Sequence, residues 1–80
     1  PENSFVVFPN PTSDLATLRF SQAGVKSIVI YNALGSRIFY SCTSNDSESF
    51  TTAGWDDGVY FITVTNKEGV STTGKVHILK

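Results

Sequence analysis

The sequence predicts an all-β domain, a small antiparallel sandwich, and three observations carry that prediction. Val, Ile, Thr, Phe and Tyr are frequent and fall in short runs, which is the composition of strands. Turn formers interrupt those runs at intervals close to the roughly 8–12 residues of a sandwich or barrel. No stretch repeats its apolar residues with the period of an amphipathic helix.

Taken in order, Phe5–Phe8 is the first strand, stopped by Pro9-Asn10-Pro11 because proline has no N–H for a ladder. Leu15–Phe20 is the second, with Ala16, Leu18 and Phe20 on one face. After the turn at Gln22-Ala23-Gly24, Val25–Tyr31 is nearly all apolar, which suits a central strand covered on both sides. Asn32-Ala33-Leu34-Gly35-Ser36 turns the chain, and Gly35 is the residue to supply a positive φ. In Arg37–Cys42, Ile38, Tyr40 and Cys42 share a face, so Cys42 is expected to be a buried, inert thiol.

Ser41 through Ser49 is polar and reads as a long loop, followed by a weak strand at Glu48–Thr52. Ala53-Gly54-Trp55-Asp56-Asp57-Gly58 is another loop. Val59–Thr65 is the strongest strand, with Tyr60, Ile62 and Val64 alternating against Phe61, Thr63 and Thr65. Asn66-Lys67-Glu68-Gly69 is a hairpin loop with Gly69 at the bulge position, and Val70–Leu79 pairs back as the last strand. Seven short strands in 80 residues give two packed antiparallel sheets, a seven-stranded immunoglobulin-like β-sandwich. The antibody hallmarks are missing: Cys42 is the only cysteine, and Trp55 sits in a loop. There is no internal repeat and no linker, so residues 1–80 read as one domain.

A chain this short buries only about 60–65% of its unfolded surface. It needs large apolar side chains, and its six Phe, three Tyr and one Trp read first as core. The net charge is −1 without any run of like charges. That removes the electrostatic footprint of a nucleic-acid binder and of a polybasic membrane patch. No apolar stretch approaches the roughly 20 residues of a membrane span. Pro1-Glu2-Asn3-Ser4 lacks a basic n-region, so an export signal is expected elsewhere, on a longer precursor.

No catalytic equipment is legible in the sequence. His77, the one histidine, lies opposite Val76 and Ile78 on alternation and is expected to face outward. A general base needs an orienting carboxylate and a nucleophile beside it. One Cys and one His do not make a zinc site. Asp56-Asp57 lacks the spaced Asp/Asn run of a calcium loop. Gly54 and Gly58 precede no helix N-terminus that would cradle phosphate. Asn45-Asp46-Ser47 matches the glycosylation triplet, a pattern that arises often by chance. The expectation is therefore no enzyme and no cofactor.

Three stretches together are more specific than any one of them: Val7-Phe8-Pro9-Asn10-Pro11-Thr12-Ser13-Asp14, Ile30-Tyr31-Asn32-Ala33-Leu34-Gly35-Ser36-Arg37-Ile38, and Gly58-Val59-Tyr60-Phe61-Ile62-Thr63-Val64 followed by Lys75–Lys80. In this order and spacing they resemble the C-terminal sorting domain of type IX secretion cargo in Bacteroidetes. That family shows a Tyr/Phe-Pro-Asn-Pro start, a strand-turn with Gly, a Gly-x-Tyr strand and a final Lys-containing strand. The approach to the third stretch, Gly54-Trp55-Asp56-Asp57, departs from the Leu-rich sequence of the pattern.

The resemblance implies a secretion signal at the C-terminus of a larger precursor. It implies an N-terminal cargo domain in cis, the type IX machinery of the outer membrane as receptor, and transit through the periplasm to the cell surface. It also implies removal by a sortase-type peptidase and attachment of the cargo to the surface. By carry-over, the candidate sorting residues are Pro9, Asn10, Pro11, Gly35, Gly58, Tyr60, Lys75, Val76 and Lys80. Each also has a purely structural reading: the prolines fix φ, the glycines permit turns and Tyr60 fills the core. A last strand at a sheet edge could add a partner strand, from a receptor or from a second copy in a strand-mediated dimer. A second reading is an accessory sandwich that binds glycans or a cell-surface ligand on a platform of Phe39, Phe61 or Trp55.

Overall fold

The computed structural model describes residues 4–8, 14–21 and 23–79. It contains β1 (Phe5–Phe8), β2 (Leu15–Phe20), β3 (Lys26–Tyr31), β4 (Arg37–Thr43), β5 (Ser47–Thr51), β6 (Gly58–Asn66) and β7 (Ser71–Ile78). Every predicted strand is present, with each boundary within one residue of its expected place. The strands form a three-stranded sheet, ordered β1-β2-β5, and a four-stranded sheet, ordered β4-β3-β6-β7. All neighbours are antiparallel.

Alternation along each strand sends one set of side chains between the sheets. Ala16, Leu18, Phe20 and Phe50 come from the first sheet; Ile28, Ile30, Tyr60, Ile62, Val64, Val76 and Ile78 come from the second. Gly74 makes room for this packing. A Cβ there would stand 3.0 Å from Cζ of Phe5, so any side chain at this position would require the Phe5 ring to shift by a few tenths of an ångström.

The two hairpins of the four-stranded sheet use the same turn. The Asn32 side-chain oxygen accepts from the N–H groups of Leu34 and Ser36 at 3.0 and 2.9 Å. Asn66 accepts from Glu68 and Val70, both at 3.0 Å. In each turn the glycine three residues on, Gly35 or Gly69, donates its N–H to the asparagine carbonyl. Their φ angles are 90° and 88°, a region open to glycine and strained for other residues. The expected positive φ at Gly35 and the bulge glycine at Gly69 are both found.

Three expectations are corrected. Ser41 through Ser49 is not a long loop: β4 runs to Thr43 and β5 starts at Ser47, because polar Ser and Thr side chains are tolerated on exposed strand positions. β3 is central, between β4 and β6, but only one of its faces lies in the core. Lys26, Ile28 and Ile30 are buried, while Ser27, Val29 and Tyr31 are half-buried on the outer face. Neighbouring strands shield these outer side chains without a second layer above them. On β4 the faces are reversed. Ile38, Tyr40 and Cys42 point outward, and Cys42 is exposed. Phe39 pairs with buried Ile30 and turns inward with it. Both phases of this edge strand carry apolar side chains, so alternation alone does not choose between them.

Lys26 is the buried charge that the sequence reading missed. Its Nζ donates to the Asn45 carbonyl at 3.0 Å and lies 4.6 Å from the centre of the Phe20 ring. The aliphatic stem fills core space while the head reaches a carbonyl and an aromatic face at the sandwich end.

Candidate functional site: one pole of the sandwich

The strand registers bring distant segments to one end of the molecule. Tyr31, Phe61 and Lys75 stand level across β3, β6 and β7, and Gly58 opposes Ile78. Hence β3 and β7 end, and β4 and β6 begin, at the same pole. In the other sheet Phe8 pairs with Thr17 and Leu15 with Thr51. Thr52 donates its N–H to the Asp14 carbonyl at 2.7 Å, and Trp55 donates to the Thr52 carbonyl at 3.0 Å.

Trp55 then lies across the end of the core. Its ring centre is 5.6 Å from that of Phe50 and 5.1 Å from that of Tyr60, and Phe39 continues the series 5.3 Å beyond Phe50. This aromatic chain fastens the end of β5 to the start of β6. It also takes Phe39 and Trp55 out of the surface platform of the second sequence reading, leaving Phe61 as the exposed member. A ring in a loop carries no sequence signal for folding back on the core.

Tyr60 is held in this cluster at both ends. Its ring is buried and its hydroxyl donates to the Asp56 carbonyl at 2.7 Å. Burial pushes the phenol pKa above its ordinary value, and the negative charges of Asp56 and Asp57 push the same way. Gly58, with φ of 147°, lets the chain pass from this loop into β6. Between the Asn32–Ser36 turn and the Asp56–Gly58 segment lies an open cleft of about 190 Å³. Leu34 on its rim is 92% exposed. A larger depression of about 550 Å³, lined by Arg19, Phe20 and Asp46 among others, sits at the opposite pole, away from these segments.

The candidate sorting residues divide by position. Pro9, Asn10, Pro11 and Lys80 lie outside the described residues, though the strands flanking 9–13 end and begin at this pole. Gly35 sits exposed in its turn. Tyr60 and Val76 are cross-strand partners, both in the core. Lys75 faces outward beside Phe61. His77 also faces outward, as expected, on β7, whereas Cys42 lies on β4 at the other edge of the sheet. The structure does not bring them together. Asn32, Asn66 and Gly74 were missed; the repeated Asn-x-x-Gly spacing was the legible signal for the first two.

The model of a secretion system C-terminal sorting domain matches residues 6–79. The chain belongs to this family. The sequence resemblance to type IX sorting domains is therefore borne out. Among solved structures, 96% of the sorting domain superposes on PorZ, described as an essential bacterial surface component of the type-IX secretion system of Porphyromonas gingivalis, with a TM-score of 0.82 and 21% identity. The chain covers 12% of that protein's length. CopC from Methylosinus trichosporium OB3b matches with a TM-score of 0.58 and 19% identity, over 96% of this chain and 91% of that one. At these identities both likenesses show the fold. No curated protein matches in sequence.

Proposed function

We propose that this domain is the C-terminal signal that directs a cargo protein across the outer membrane through the type IX secretion system, to the cell surface or beyond. The family match over residues 6–79 carries the reading. The likeness to a stretch of PorZ, a surface component of such a system, supports it at the level of fold. On this reading the cargo lies N-terminal in the same precursor and crosses the periplasm before export. A sortase-type peptidase then removes the domain as the cargo is attached to the surface. The domain itself performs no catalysis.

The geometry suggests how the signal is divided. Tyr60 and Val76 lie in the core between β6 and β7 and Gly58 admits the chain into β6, so they act through the fold. Lys75 is exposed on β7, an edge strand whose one described partner is β6, so it can meet a receptor directly. The test is fusion of the domain to a periplasmic reporter in a type IX-competent cell. The reporter should reach the surface or medium. Lys75→Ala should retain it in the periplasm while changing stability by no more than about 0.5 kcal/mol, as is usual for exposed positions. Periplasmic retention of the unaltered fusion would overturn the reading.

A further inference from the structure

Among the described residues no element covers the outer face of the four-stranded sheet. Of the seven strands only β5 carries a carboxylate, Glu48, so β3, β4, β6 and β7 contain no Asp or Glu while presenting Arg37 and Lys75. Arg37 on β4 and Lys75 on β7 stand at the two edges of one cross-strand row, with Tyr31 and Phe61 between them. Three strand spacings of about 4.8 Å put the backbone positions of the two residues roughly 14 Å apart. Tyr40, Ile38 and Val59 extend the apolar floor, and Tyr40 is 57% exposed with the Arg37 guanidinium 5.9 Å from its ring centre.

Charges on edge strands guard a sheet against indiscriminate pairing. That function does not call for exposed rings in the middle of the face. Exposed aromatic and aliphatic side chains rimmed by Arg and Lys are instead the composition of a protein interface. A sugar platform would need acceptors for ring hydroxyls, and these strands offer no carboxylate beside the aromatic row. The one carboxamide on them, Asn66, is at the far end of β6 and engaged in its turn.

We propose that this face docks a protein of the export machinery through a surface with an apolar centre flanked by carboxylates, matched to Arg37 and Lys75 at the two edges of the face. The identity of that partner rests on the sorting reading; its chemistry rests on the face. The test uses the same reporter fusion with two matched double variants. R37E/Y40S alters the face at positions outside the candidate sorting residues. R19E/L15S makes the same kind of change on the outer face of the other sheet, where both side chains are exposed.

The expected result is at least a tenfold loss of surface reporter for R37E/Y40S and less than a twofold loss for R19E/L15S. Thermal unfolding of both purified fusions should stay within a few degrees of the parent. If R37E/Y40S unfolds, the single variant R37Q is read against the same tenfold criterion. A photo-crosslinking residue at position 40 should capture a machinery protein, and Arg37→Glu should abolish that capture. Equal export of both double variants, equal loss in both, or crosslinks only to a second copy or to glycan would overturn the docking face while the sorting reading stands. Retention of the parent fusion would overturn both.

Discussion

Tyr60 shows how one side chain joins local geometry to the core. Its ring closes the aromatic chain and its hydroxyl satisfies the Asp56 carbonyl. Tyr60→Phe should keep the fold and lose about 1–2 kcal/mol in urea unfolding, since the carbonyl then loses its partner. The folded-state pKa is raised above the ordinary 10.0, chiefly by burial. The native state therefore holds this proton where the unfolded chain releases it, so stability should fall as pH rises above about 10. Tyr60→Phe should flatten that decline, which denaturant titrations at successive alkaline pH values would show.

Lys26 makes a second residue-scale case. Its stem packs like an aliphatic side chain, and only its head needs a polar contact. Lys26→Met keeps most of the volume and should change stability by less than about 1.5 kcal/mol. Lys26→Ala leaves a cavity and should cost about 2–4 kcal/mol, measured by the same unfolding experiment.

At the scale of elements, the paired Asn-x-x-Gly turns fix where two hairpins reverse. Gly35→Ala and Gly69→Ala should each cost about 1–2 kcal/mol in unfolding experiments, because alanine is strained at those φ values. Gly54→Ala, at a position without a positive φ and with open space around it, should be neutral or slightly stabilising. The last strand carries two duties. Val76 and Ile78 belong to the core, so removing residues 75–80 strips the fold as well as the signal. Loss of export on such a truncation says little about recognition, and Lys75→Ala separates the two.

Across the whole molecule, folding brings the ends of distant strands to one pole. Residues 9–14, 32–36 and 52–58 connect strands that end or begin at one pole, and β7 finishes there. The second large-scale feature is the placing of charge: among the strands only β5 carries a carboxylate, and the outer face of the four-stranded sheet carries rings and cations. The first arrangement suits a fold-dependent signal, and the second suits a partner of opposite charge.

The strands, the turn glycines and the outward course of His77 are legible in the sequence, because turn chemistry and period-2 alternation are local. The sequence also carries the family, because the Pro-Asn-Pro, Gly and Gly-x-Tyr stretches keep their order and spacing along the chain. Which face of β4 is inside depends on long-range pairing, because Phe39 and Tyr40 make either phase apolar until Ile30 sets the register. The same holds for Cys42, exposed once that face turned outward, and for Trp55, whose loop position hid its stacking on Phe50 and Tyr60. Those outcomes depend on contacts between segments far apart in the chain, and no local pattern encodes which distant surface a side chain will meet.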